Sequence, residues 1–271
     1  MSQRIGMDGL NVPFQSLLTT QILGRHALFF PRTGSTNDVA RDLAAQGAPE
    51  GTVVVADEQT AGRGRLERRW IAPPGTCLLC SILFRPALAL HQAHRLTMLC
   101  SLAAADAVAA VSGCAPGIKW PNDLVVLSDG RVKKLAGLLT ETGLVGERLD
   151  FVVVGVGLNV NVSPGDLAGL APDATSLLAE VGAPVDRWRL LAAMLAGIET
   201  RYAAVRAGQN PRDEWALRLV TIGQRVRATA AGAALVGLAE GVDEEGALLL
   251  RSDDGTVQRL LAGDVTLAGK V

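Results

Sequence analysis

Phe151-Val-Val-Val-Gly-Val-Gly-Leu-Asn-Val-Asn-Val162 is the stretch on which the fold turns. It is almost wholly apolar and lacks the alternation of a strand with one wet face. A run of this kind is a strand covered on both faces, and it belongs at the centre of a sheet. Toward the C-terminus, Asp186 caps a long helix whose apolar face is Leu190, Leu191, Met194, Leu195, Ile198, Tyr202 and Val205, and a shorter helix follows Pro211. Toward the N-terminus, Leu135–Glu141 and Ile118–Leu127 read as strands of a hairpin about the turn Ser128-Asp-Gly-Arg131. His91–Ser112 keeps a helical period through Leu96, Leu99, Ala103, Ala107 and Val111 until Gly113 ends it. Thr76–Phe84 and Thr52–Ala56 are buried strands, and Ala27–Phe30 is an edge strand. Between the last two, Ser35, Thr36 and Asn37 are good N-caps for a helix carrying Val39 and Leu43 and closed by Gly47 and Pro49.

After Leu219 the composition changes to glycine-rich, short strand-like runs, among them Gly246–Arg251 and Thr256–Leu261 about the turn Ser252–Gly255. The chain of 271 residues therefore divides into 1–219 and a small all-β domain, 220–271. Lys plus Arg (26) nearly cancels Asp plus Glu (27), so no global field draws the molecule to nucleic acid or anionic lipid. No signal peptide and no run of about 18 uncharged apolar residues is found, and the expected location is the cytoplasm. The lead-in before Ala27 is too short for a helix-turn-helix module, so no DNA-binding domain is expected.

Cys77 and Cys80 form a CxxC, but within a strand i and i+3 point to opposite faces and cannot share a tetrahedral metal. His26, His91 and His94 are not spaced with them as zinc ligands. The cysteines read as small buried hydrophobes.

Five segments stand out in polarity and spacing: Gly34-Ser-Thr-Asn37, Glu58-Gln-Thr-Ala-Gly-Arg-Gly-Arg65, Lys119-Trp-Pro-Asn-Asp123, Lys133-Lys-Leu-Ala-Gly137 and Gly155-Val-Gly-Leu-Asn159. The second lacks Walker spacing, and Glu67 stands where GxGxxG needs its third glycine. Arg63, Arg65, Arg68 and Arg69, with glycines on either side of Arg63, suit a bound phosphate under a mobile cover, or else a solvated basic turn. Ser35 and Thr36 can hydrogen-bond a small neutral ring or simply cap their helix. Trp120-Pro121 makes a rigid corner that leaves a strand in a fixed direction.

Together the five segments resemble the biotin protein ligase family over Gly34–Asn159, with the β tail where that family has an SH3-like domain. The resemblance implies an α+β fold: a mixed sheet with flanking helices, similar to class II aminoacyl-tRNA synthetases, plus a C-terminal SH3-like β-barrel. It implies formation of biotinyl-5′-AMP from biotin and ATP with Mg2+, then transfer of biotin to a lysine of a biotin carboxyl carrier protein. Two anions must meet in the first step, and Lys134 is the cation expected to touch both, with Lys133 a less essential neighbour. By the same resemblance Arg65 and Asp123 join Lys134 as catalytic residues, Asp123 as base, orienter or metal ligand, or merely a cap for backbone amides. Biotin is expected against Ser35, Thr36, Asn37, Gln59, Gly62, Arg63, Lys134, Gly137 and Gly155. The nucleotide is expected against Arg65, Arg68, Trp70, Asn122 and Asn159. The arginine loop would cover the adenylate, and Glu67, in place of the family's glycine, would either stiffen that cover or pair with a neighbouring arginine. Monomer and homodimer are both open. A lipoate ligase is disfavoured by the GRGR loop, a repressor by the short lead-in, and a non-catalytic biotin-binding module by the arginines and Lys134.

Overall fold

Arg148–Asn159, most of the apolar run, is the middle strand of a seven-stranded sheet. The computed structural model describes residues 14–267 other than 67, 129, 171–172, 231–232 and 262. The expectations for the first thirteen residues, for Glu67 and for the aspartate of the Ser128–Arg131 turn lie outside the described residues.

The strands are Ala27–Phe30 (β1), Val53–Ala56 (β2), Cys77–Phe84 (β3), Gly117–Lys119 (β4), Asp123–Ser128 (β5), Arg131–Val145 (β6), Arg148–Asn159 (β7), Arg225–Ala230 (β8), Ala233–Val242 (β9), Leu248–Arg251 (β10), Val257–Leu260 (β11) and Asp264–Leu267 (β12). The helices are Thr36–Ala45 (α1), His94–Ser112 (α2), Pro164–Leu170 (α3), Leu177–Val181 (α4), Arg187–Arg206 (α5) and Arg212–Leu217 (α6). The first sheet runs β1-β2-β3-β7-β6-β5-β4. β1 pairs with β2 in parallel and the other pairs are antiparallel, so the sheet is mixed.

Because side chains alternate along a strand, each strand feeds two layers. Leu78, Cys80, Ile82 and Phe84 of β3 and Val152, Val154, Val156 and Leu158 of β7 pack with the buried residues of α2 and α5 in the main core. Leu83 and Val153 face the opposite way and pack with Ala40, Leu43 and Ala44 of α1. Farther along that second face the layer is left open, and the cleft described below forms there. α2 is long and apolar enough to span a membrane, yet it is buried between the sheet and α5, as a core helix is. Gly113 ends it at φ +76°, which an L side chain rarely adopts, and the Asp186 side chain caps α5 by accepting the Trp188 and Arg189 N–H groups.

The expected strand 118–127 is two strands. Trp120-Pro121, joined by a cis peptide bond, separates β4 from β5, because proline offers the ladder no N–H. The partner strand is longer than expected, since β6 begins at Arg131 and takes both Lys133 and Lys134 into the ladder.

β8 to β12 form a separate antiparallel sheet, ordered β11-β10-β9-β8-β12, in the place expected for the SH3-like module. Its apolar face shares one cluster with Met98, Leu102, Ile118, Trp120 and Trp215, so it is seated on α2, α6 and the Trp-Pro corner. Trp215 is 2 % exposed at the middle of that seam. Trp215→Ala is expected to lower stability by about 3–5 kcal/mol, read from the midpoint of chemical denaturation.

Candidate active site

Helix α1 begins at the floor of the open layer. Ser35 is its N-cap by position but makes no side-chain cap bond. Gln59, from the loop after β2, reaches across instead, and its Oε1 accepts the Thr36 N–H at 2.8 Å. The Thr36 and Asn37 side chains turn inward toward Ser81, whose Oγ lies 2.7 Å from Thr36 Oγ1 and 2.6 Å from Asn37 Oδ1. Asn37 Nδ2 donates to Glu141 at 2.7 Å. A Cβ on Gly155 would lie 2.2 Å from Asn37 Oδ1, so only glycine fits beside that amide.

Lys134 reaches the same layer through an irregularity. Leu124 opposes Ala136 and Val125 opposes Lys134, which leaves Leu135 as an extra residue in β6. Leu135, Ala136 and Leu138 all pack in the helix-covered core. Without the bulge, the alternation that sends Ala136 and Leu138 into the core would send Lys134 there too. With it, Lys134 shares a face with Gly137, and a Cβ there would be 3.1 Å from Nζ. The ammonium lies 2.8 Å from Asp123 Oδ1, a charge contact rather than an aligned hydrogen bond. It also stands 5.8 Å from the Trp70 ring centroid, and Trp70 rests on Gly157, where a Cβ would be 2.7 Å from the indole. Gly137 and Gly157 are cross-strand partners. The two missing side chains make a flat seat for the indole and the lysine.

The arginine segment is a small hairpin over this seat. Trp70 N–H donates to Gly62 O, Arg63 bridges to Arg69, and Gly64 N–H donates to Arg68 O, with Leu66 near the turn at φ +54°. Arg65 donates to Asn122 Oδ1 at 3.0 Å, and Asn122 Nδ2 donates to Leu138 O, which ties the hairpin to the Trp-Pro corner. Arg63 turns to Asp38 and Glu141, at 2.5 and 3.2 Å.

Between hairpin and sheet lies a cavity of about 320 Å³. Ser35, Thr36, Asn37, Gln59, Arg63, Arg65, Arg68, Trp70, Asn122, Asp123, Lys134, Gly137, Gly155 and Asn159 all border it. Gly62 does not; it sits behind, against the Trp70 carbonyl and Gln59. Asn159 is 8 % exposed, and its Nδ2 donates to Thr175 O. Ser81 and Glu141 fall outside the five segments, and Gly157 lies within the fifth but has no role assigned to it there. The lone polar Ser81 in the run CLLCSILF was a signal, whereas Glu141 depends on a contact 104 residues away.

Cys77 and Cys80 do face opposite layers, packing in different clusters. Among the described residues no group of three or more His, Cys, Asp or Glu side chains is placed to hold a metal. Burial pushes the Cys77 thiol up to about 11 and the Cys80 thiol up to about 12. Both stay protonated near neutral pH, and since the thiolate is the nucleophile, neither should react with iodoacetamide in the native protein at pH 7.5. Labelling of peptides containing Cys77 or Cys80, followed by mass spectrometry, checks this.

The model of the biotin/lipoate A/B protein ligase family matches residues 29–159, and that of the biotin protein ligase C-terminal domain matches 221–267. A biotin–[acetyl-CoA-carboxylase] ligase of Mycobacterium tuberculosis is 39% identical over 242 residues, covering 86% of each chain. The chain belongs to the biotin protein ligase family. Another member, a bifunctional ligase/repressor of Bacillus subtilis, is 35% identical over 253 residues, 92% of this chain and 76% of that one. Among solved structures, the biotin protein ligase of Aquifex aeolicus in complex with biotin and ATP superposes with a TM-score of 0.73 at 25% identity, over 90% of this chain and 99% of that one. The mixed sheet and the separate C-terminal sheet are thus the architecture of a biotin protein ligase, similar to class II aminoacyl-tRNA synthetases.

Proposed function

We propose that this chain activates biotin with ATP and passes the biotinyl group to a lysine of a biotin carboxyl carrier protein. One observation carries this reading: a single cleft sets the Lys134 ammonium, held by Asp123, between a neutral hydrogen-bonding end at Thr36 and Gln59 and the arginine hairpin with Trp70. The neutral end suits the fused urea ring, and the cationic middle suits the place where a carboxylate must approach a phosphate. A biotin carboxylate oxygen attacks the α-phosphorus, the bond to the bridging oxygen breaks, and pyrophosphate leaves. Lys134 gains strength as negative charge gathers on the non-bridging oxygens. Arg65 draws on its anchor at Asn122 to hold the leaving phosphates, and Trp70 on its glycine seat lies against the nucleotide. In the second step the acceptor amine attacks the acyl carbon, AMP leaves with the C–O bonding pair, and the amine gives up a proton.

Among the described residues bordering the cleft Asp123 is the only carboxylate, and its Oδ1 is engaged with Lys134. That suits a magnesium ion carried chiefly by nucleotide phosphates, which would neutralise their charge, with Asp123 as the candidate ligand among the described residues. The Asp123 pairing makes it first the positioning partner of the ammonium. Among the described residues, free and mostly buried cysteines accord with a cytoplasmic location, and a net charge of −1 gives no reason to add nucleic acid or membrane to the partners.

Pyrophosphate release in the presence of ATP, magnesium and either biotin or lipoate tests the first step, before any acceptor is added. Release with biotin is expected; release with lipoate alone would overturn the substrate assignment. Addition of a carrier domain should then place one biotinyl group on one lysine, read by intact mass.

A further inference from the structure

Glu141 lies outside the cleft lining, yet three side chains converge on it. Arg41 approaches its Oε1 at 3.3 Å, Arg63 its Oε2 at 3.2 Å, and Asn37 Nδ2 donates to Oε2 at 2.7 Å. We propose that Glu141 is a specificity-determining positioning residue that fixes the direction of a hydrogen-bond chain, so that the closed end of the cleft offers an acceptor to a cyclic urea N–H. The proposal rests on the functional reading above and adds to it the means by which the ring is told apart.

The protons can be placed one by one. A carboxylate between two arginines accepts and does not donate. The Asn37 amide therefore points its NH2 at Glu141, with Leu139 O as a second acceptor at 3.3 Å, and its Oδ1 must face the other way. Oδ1 meets Ser81 Oγ at 2.6 Å, and Ser81 has a single proton, which that contact takes. Ser81 then has only lone pairs left for Thr36 Oγ1, 2.7 Å away. Gln59 Oε1 is an acceptor as well: it takes the Thr36 backbone N–H at 2.8 Å and, on its second lone pair, the Thr36 hydroxyl at 3.1 Å, so the hydroxyl proton is spent on protein oxygens. What Thr36 presents to the cleft is a lone pair. Ser81 is fully buried and Asn37 and Thr36 are 4 % and 3 % exposed, so solvent does not reverse the order. Each link polarises the next, and the chain ends on a full negative charge. A ring carrying N–H groups meets an acceptor there, whereas a dithiolane ring has nothing to donate. With an uncharged amide at 141, which can donate as well as accept, Asn37 can turn over and the chain can run either way.

The test is calorimetric binding of biotin, of desthiobiotin, which keeps the cyclic urea without the sulfur ring, and of ATP, to the full chain and to E141Q, S81A and the double variant. Glu141→Gln is expected to weaken biotin and desthiobiotin alike by about tenfold, the loss that follows mispairing of a buried hydrogen-bonding group. ATP binding and the thermal midpoint should hold, and the double variant should bind biotin no worse than the poorer single one. Unchanged biotin binding in E141Q, a loss confined to biotin, a parallel loss of ATP, or additive losses in the double variant would each overturn the chain. Failure of the unaltered protein to bind biotin would instead overturn the functional reading.

Discussion

Lys134→Met is expected to slow pyrophosphate release about a hundred- to a thousand-fold, the size of effect seen when one focused charge-stabilising donor is removed from a transition state. The ammonium has a fixed address: the bulge at Leu135 sends it to the open layer, Asp123 meets it at 2.8 Å, and Gly137 leaves room beside it. It therefore needs no reorganisation as charge accumulates. Methionine keeps most of the stem, so the seat for Trp70 and the ladder should survive, and the loss should fall on the rate rather than on biotin binding. Lys134→Arg should not restore the rate, because a planar fork beside Asp123 does not occupy the same point. Single-turnover adenylation at saturating biotin and ATP measures both; an unchanged rate in Lys134→Met would remove this amine from the chemistry.

Gly155→Ala is expected to weaken biotin by about 1–3 kcal/mol, or roughly five- to 150-fold, as overpacking of a rigid site does. The added Cβ falls 2.2 Å from Asn37 Oδ1. Neither partner can yield easily: Gly155 is locked between Ser81 of β3 and Leu139 of β6, and Asn37 is held at both ends of its amide. Gly157→Ala places its Cβ 2.7 Å from the Trp70 indole instead. There the obstacle belongs to the arginine hairpin, and the effect should appear in ATP binding with biotin little changed. Two glycines two residues apart thus serve separate halves of the cleft. Titrations of both variants with both ligands check the separation, and matching losses for biotin and ATP in each variant would contradict it.

Much of the framework was legible one segment at a time. The continuous apolar run made β7 central because a strand with two covered faces has no polar positions to spare. Asp186 and Gly113 marked helix ends because capping is local chemistry. The arginine segment was harder to read, as its hairpin pairing of Gly64 with Arg68 depends on a left-handed turn near Leu66 that residue types alone do not announce. Residue type makes Ser35 a natural cap, but its side chain makes no cap bond and Gln59 meets the helix N–H at Thr36.

The sequence by itself determined which chemical groups were present and which strands and helices carried them, since periodicity, caps and turn residues act over a few positions. Tertiary structure decided which face each group met. A single unpaired residue at Leu135 turned Lys134 from the core to the cleft, and the closing of β3 against β7 and β7 against β6 brought Ser81, Asn37 and Glu141 into one line. Side chains alternate with a period of two, so a one-residue change of register reverses every assignment beyond it, and register is a property of paired strands rather than of either strand alone.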